Sequence, residues 1–96
     1  MSNQAPGSRT IWKFALPSQI GYLVISMPEG SVPLFVAIQD GEPHLWAEVE
    51  PDKPLTETHF WLAGTGNPLP RSGQYIGSWQ DGRFVGHLYS WSGANV

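Results

Sequence analysis

The chain has no cysteine and few charged residues, and both deficits limit what it can do. Without cysteine, its 96 residues form no disulfide, thiolate nucleophile or zinc–thiolate site. Charged residues are only 14% of the sequence, and the five cations are scattered. Neutralising phosphates needs clustered Lys and Arg, so nucleic-acid binding is not expected. The low charge leaves two interpretations open: an oligomer or partner covers part of the surface, or polar loops keep the protein soluble.

Long apolar runs are also missing. No stretch approaches the roughly 18–20 residues of a membrane span, and the polar N-terminal residues lack the apolar run of a signal peptide. We therefore expect no membrane segment. The length suits one domain, predicted at residues 10–92, with flexible tails at residues 1–9 and 93–96.

The chain does have five tryptophans, nearly all in short segments that alternate like β-strands. Strands send successive side chains to opposite faces, and so many large rings exceed what one small core needs. We expect some rings in the core and others on a surface that contacts something else.

Alternation and turn signals predict the fold. Seven strands are predicted, at residues 10–16, 22–26, 32–39, 44–50, 58–63, 74–79 and 83–91. Asp40-Gly41 and Asp81-Gly82 predict two hairpins, because tight hairpin turns need positive φ. The fold class is all-β, an antiparallel sandwich or small barrel of about six to seven strands. The predicted core contains Trp12 or Phe14, Leu23, Ile25, Leu34, Val36, Leu45, Ala47, Phe60, Leu62, Ile76, Phe84 and Leu88.

No motif in the chain predicts catalysis. His44, His59 and His87 lie on predicted strands without the tight spacing of metal pairs, which favours packing roles. The carboxylates at Glu48 and Glu50 alternate onto one face, which is typical of a solvated edge. No serine lies in a Gly-x-Ser-x-Gly elbow. We predict no enzyme activity, no cofactor and no metal site.

A binding surface is the functional prediction from the residues. Trp46 alternates with His44 and Glu48, and Trp61 shares the parity of His59, so both rings have polar neighbours. We predict that both tryptophans lie on one binding face together with the loop at residues 64–73. A loop of the same chain that covers these rings is the alternative. The predicted binding residues are Trp46, Trp61, His44, His59, Gly64, Thr65, Gly66, Asn67 and Arg71.

Six short motifs follow one another between residues 11 and 89. They are Ile-Trp-Lys-Phe-x-Leu-Pro at 11–17, Met-Pro-x-Gly at 27–30, Val-x-x-Gln-x-Gly-x-Pro-x-Leu-Trp-Ala at 36–47, Gly-Thr-Gly-x-Pro at 64–68, Tyr-Ile-Gly at 75–77 and Gly-His-x-Tyr at 86–89. This order resembles that of small bacteriophage-encoded domains of unknown function. Relatives of this type often have histidine where this chain has Asn67. The resemblance implies a phage or prophage accessory gene and a location in the host cytoplasm.

Three functions are compatible with these observations. The favoured hypothesis is a non-enzymatic phage accessory protein that engages or inhibits a host defence or regulatory protein, because Trp and Tyr dominate interface hot spots. The second is an oligomeric sponge for a nucleotide-like small molecule, with rings that stack the base. Its phosphates would bind the amides at residues 64–66 with Arg71 or Arg83. The third is a minor virion component, in which the aromatic surface packs symmetrically.

Overall fold

The structure is a computed structural model that describes residues 8–92. The predicted tails lie outside the described residues, apart from Ser8 and Arg9. The described part contains seven strands: β1 (Thr10–Ala15), β2 (Gly21–Pro28), β3 (Val32–Gln39), β4 (Glu42–Val49), β5 (Leu55–Gly64), β6 (Gln74–Asp81) and β7 (Phe84–Ser90). No helix in residues 8–92 is long and apolar enough to cross a membrane. The all-β prediction is confirmed.

The strands form two antiparallel sheets. One has three strands in the order β1-β4-β3, and the other has four in the order β2-β5-β7-β6. The sheets approach most closely where β3 passes β6. A Cβ atom at Gly77 would lie 2.7 Å from Cγ2 of Val36, so the glycine permits this approach. The architecture is a sandwich.

Both predicted hairpins are present, but they use different turns. Asp40 and Gly41 have φ values of 53° and 81° between the paired residues Gln39 and Glu42, which is a type I′ turn. In the second hairpin Asp81 pairs with Phe84, so the two turn residues are Gly82, with φ 61°, and Arg83. This is the type II′ pattern, with glycine first. Asp81 is therefore the last residue of β6 rather than a turn residue.

The core lies between the sheets, where alternate residues of each strand point inward. Most predicted core residues are buried or packed against the core, and of the two rings on the inner side of β1 it is Phe14 that packs against the core. Two predictions are wrong, because Leu34 and Phe84 are 46% and 42% exposed; Trp12, the other member of the Trp12-or-Phe14 alternative, is 39% exposed. Trp12 is on an edge strand, Leu34 lies in a β-bulge, and Phe84 begins β7 at a hairpin end. Buried residues missing from the prediction include Leu16, Met27, Pro28, Val49, Ala63 and Trp79.

A pair of glycines makes room for two rings on the inner side of the four-stranded sheet. Gly64 of β5 lies directly opposite Gly86 of β7. A Cβ atom at Gly86 would be 2.4 Å from the Trp79 ring, and one at Gly64 would be 2.9 Å from the Phe84 ring. Side chains at either position would displace these rings, so the first glycine of the Gly-Thr-Gly motif has a packing role.

Candidate functional site

The outer side of the four-stranded sheet carries a continuous set of aromatic side chains. They belong to residues that alternate with inward-facing residues such as Leu23, Phe60 and Leu88. We call this surface the aromatic face and define it by Tyr22, His59, Trp61, Tyr75, His87, Tyr89 and Trp91.

A β-bulge in β6 places Tyr75 on this face. Tyr75 pairs with Tyr89 and Gly77 with Leu88, so one extra residue is inserted between the two pairs. Ile76, at the insertion, packs against the core. Tyr75 and Ser78 consequently lie on the same side although three positions separate them, which simple alternation does not allow.

The rings of the aromatic face contact one another. Tyr22 stacks on His59 with ring centroids 5.7 Å apart and an interplanar angle of 10°. The Trp91 ring meets Tyr22 and Trp61 edge to face, at 5.1 and 5.2 Å. Tyr75 and Tyr89 form a further edge-to-face pair at 5.5 Å. Each such pair contributes about 0.5–1.5 kcal/mol beyond its burial, so the ring contacts stabilise the arrangement of these side chains.

Hydrogen bonds connect the polar groups of the same face. The hydroxyl of Ser78 lies 2.7 Å from both the Tyr75 hydroxyl and Nδ1 of His87. Nε2 of His87 lies 2.9 Å from the Thr65 hydroxyl. Separately, the Tyr22 hydroxyl hydrogen bonds to Nδ1 of His59 at 2.7 Å. These contacts orient both imidazoles and both tyrosines.

The contact between Ser78 and His87 brings a hydroxyl to an imidazole, as in a nucleophilic dyad. In such a dyad a carboxylate usually holds the second ring nitrogen, whereas here the Thr65 hydroxyl does so. The Ser78 hydroxyl is also shared with Tyr75. The group is best described as a hydrogen-bonded relay across the sheet.

Two indole N–H groups in the cluster have no hydrogen-bond partner. Nε1 of Trp61 and Nε1 of Trp91 are both buried and unpaired. A buried unpaired donor costs about 1–3 kcal/mol. The two indoles meet edge to face, with ring centroids 5.2 Å apart.

The aromatic face has almost no charge. Among the strand residues that alternate onto this side, Glu57 of β5 is the one charged side chain. The outer side of the three-stranded sheet differs, because Arg9 forms an ion pair with Glu48 and Lys13 donates a hydrogen bond to the side chain of Gln39.

The structure separates the two tryptophans that were predicted to share a face. Trp61 and His59 lie on the aromatic face, whereas Trp46 and His44 lie on the outer side of the three-stranded sheet. There Trp46 contacts Phe35 and His44, with ring centroids 5.7 and 6.0 Å apart. The shared-face prediction is wrong because β4 and β5, though consecutive, belong to opposite sheets.

The predicted loop residues border the aromatic face. β5 and β6 run in the same direction on either side of β7, so the connecting loop must travel back along β7. At its start Thr65 reaches His87, and at its end Gly73 lies beside Cβ of Tyr89. Arg71, within this loop, is exposed.

Backbone amides in the loop already have acceptors. The Gly64 amide donates to Oδ1 of Asn67 at 2.9 Å, and the Asn67 amide donates to the Gly64 carbonyl at 2.9 Å. The Thr65 amide donates to the Val85 carbonyl at 3.2 Å. Gly66 has φ 92°, which favours glycine. Residues 64–67 thus form a closed turn, and Asn67 has a structural role in it.

The predicted binding residues did not include Tyr22, Tyr75, His87, Tyr89 and Trp91 of the aromatic face, nor Ser78, which hydrogen bonds to two of its members. The alternation of His87, Tyr89 and Trp91 against Leu88 was a usable signal for β7. Tyr75 could not be found in this way, because the bulge changes its parity.

In residues 8–92, no three His, Asp or Glu side chains lie together where they could hold a metal ion. No curated protein and no solved structure matches the chain. A family model does match residues 8–95, nearly all of the sequence. The chain belongs to the family described as a domain of unknown function, DUF7352.

Proposed function

We propose that this protein is a non-enzymatic phage accessory protein that binds a host protein, in the host cytoplasm, through its aromatic face. The observation that carries the proposal is an outer sheet surface on which seven aromatic or imidazole side chains surround ordered hydroxyl groups, with one charged strand residue.

The composition of this face suits the centre of a protein interface. Interface cores are depleted in charge and enriched in Tyr and Trp, and hot spots concentrate in those two residues. Tyr75 is 55% exposed and Tyr22 is 41% exposed, so both rings are accessible to a partner. Ring contacts and hydrogen bonds already order these side chains, which lowers the entropy that association costs.

The sponge alternative has less support. Its phosphate groups were expected to bind the amides at residues 64–66, but the amides of Gly64 and Thr65 donate within the protein. No Lys or Arg alternates onto the described strands of the aromatic face, so charge for a phosphate would have to come from loops. A neutral ligand that stacks on the rings would need neither free backbone amides nor cationic side chains.

Matched alanine variants on the two outer faces test the proposal. Tagged full-length protein is used to capture host proteins, and each captured candidate is purified and titrated against the wild type, Tyr75→Ala and Phe35→Ala. Phe35 is 56% exposed on the opposite face, so it matches Tyr75 in accessibility. Native mass spectrometry of the purified protein is recorded alongside.

We expect Tyr75→Ala to weaken binding by about tenfold or more and Phe35→Ala to have little effect. The opposite result would place the interface on the three-stranded sheet. A co-purified small molecule with no protein partner would favour the sponge, and incorporation into phage particles would favour the virion component.

A further inference from the structure

A separate pocket of about 280 Å³ lies at one end of the sandwich, away from the aromatic face. The β1–β2 connection forms one wall, and the ends of both sheets form the others. Its lining is mostly apolar: Pro17, Ser18, Gln19, Ile20, Pro43, Leu62, Trp79, Asp81 and Phe84.

The type II′ turn places a carboxylate beside an aromatic ring in this pocket. Asp81 and Phe84 are directly paired, so their side chains lie on the same side with Cβ atoms about 5 Å apart. Trp79 precedes Asp81 by two positions and shares that side. If Asp81 were a turn residue, as the sequence suggested, this arrangement would not form.

The Trp79 and Phe84 rings both pack against glycines of the four-stranded sheet. Trp79 lies over Gly86 and Phe84 lies over Gly64, where the absence of Cβ atoms lets each ring approach the sheet. Phe84 remains 42% exposed although it alternates onto the core side, because the pocket leaves part of its ring uncovered.

Asp81 is the one charged residue of the lining, and no described ion pair involves it. A carboxylate next to aromatic rings attracts a positive charge both directly and through the ring faces. The remaining apolar wall, which includes Ile20 and Leu62, suits hydrocarbon. Ser18 and Gln19 are the uncharged polar residues of the lining.

We propose that this pocket binds a small organic ammonium compound, with its cationic nitrogen at Asp81 and its apolar part against Phe84 and Trp79. The site is independent of the proposed protein interface, because its lining shares no residue with the aromatic face.

The test uses full-length protein with 2-phenylethylammonium and its neutral analogue 2-phenylethanol. Binding is followed by NMR through the indole N–H signal of Trp79 and the ring signals of Phe84. The variants are Asp81→Asn, which removes the charge, and Asp40→Asn, the matched change in the other hairpin. Asn tolerates the positive φ of residue 40 well, so the control variant should fold.

We expect the ammonium compound to shift the Trp79 and Phe84 signals and to bind about three- to tenfold more tightly than the alcohol. Asp81→Asn should abolish that preference, and Asp40→Asn should leave it unchanged. Equal binding of both compounds to the wild type would overturn the proposal, as would shifts confined to the rings of the aromatic face. Absence of any shift at Trp79 and Phe84 at tens of millimolar ligand would also overturn it.

Discussion

Each outer face of the sandwich has a tryptophan on a central strand, but the residues beside that tryptophan differ between the two faces. Trp46 on β4 lies between Lys13 and Phe35, whereas Trp61 on β5 lies between Tyr22 and Tyr89. Both tryptophans are half-buried and face away from the core. The ring on the four-stranded sheet is therefore part of an aromatic cluster, and the ring on the three-stranded sheet is bordered by charge.

This difference separates two ways of keeping an apolar residue on a surface. On the three-stranded sheet, the Arg9–Glu48 ion pair and the Lys13–Gln39 hydrogen bond lie on the same side as three connected rings, those of Phe35, Trp46 and His44. On the four-stranded sheet, aromatic rings pack against one another, and hydroxyl groups hydrogen bond to the imidazoles of His59 and His87. The second arrangement leaves an aromatic surface with almost no charge, a composition that is enriched at the centre of protein interfaces.

The largest expected loss of stability comes from a substitution in the core, which both sheets share. Leu45 is completely buried behind the three-stranded sheet, so Leu45→Ala should lower the free energy of unfolding by about 2–5 kcal/mol. Urea denaturation followed by tryptophan fluorescence measures this value. A midpoint equal to that of the wild type would mean that Leu45 does not belong to the shared core.

Replacing each central tryptophan compares the faces directly. Trp61→Ala removes an edge-to-face contact with Trp91 and a ring between two tyrosines, so we expect a loss of about 2–4 kcal/mol. Trp46→Ala should cost less, about 1–2 kcal/mol, because the strand neighbours of Trp46 are Lys13 and Phe35 rather than two tyrosines. The same denaturation assay applies. If both variants lose the same free energy of unfolding, the ring cluster around Trp61 does not add to the stability of the protein.

The relay on the aromatic face should have a smaller effect. Ser78→Ala removes the hydrogen bonds to Tyr75 and His87, and we expect a loss of about 0.5–1.5 kcal/mol. Ser26→Ala, at another exposed serine on the same side of the sheet, is the control. If both variants unfold at the same urea concentration, the relay does not stabilise the face.

The ion pair on the opposite face should have the smallest effect and should depend on salt. Glu48→Gln is expected to cost about 0–1 kcal/mol at low ionic strength, because Arg9 is largely exposed. The difference from the wild type should vanish near 1 M NaCl, whereas the effect of Ser78→Ala should persist. A loss that stays the same at high salt would contradict an electrostatic origin.

Much of the fold could be read from local pattern. All seven predicted strands exist, and Asp40-Gly41 forms the expected turn, because alternation and positive φ are properties of a few neighbouring residues. The site was recovered in part: Trp61, His59 and Thr65 belong to or border the aromatic face. Tyr75 was missed because a single inserted residue at the bulge reverses the parity of what precedes it.

The sequence by itself determined which residues alternate, where the chain turns and that the domain is all-β. Tertiary structure decided which sheet each strand joined, and so moved Trp46 and Trp61 to opposite sides of the core. It also decided that Gly64 and Gly86 would meet beneath the Phe84 and Trp79 rings. Strand pairing joins residues far apart in the chain, and it depends on the packing of two whole faces rather than on any local preference.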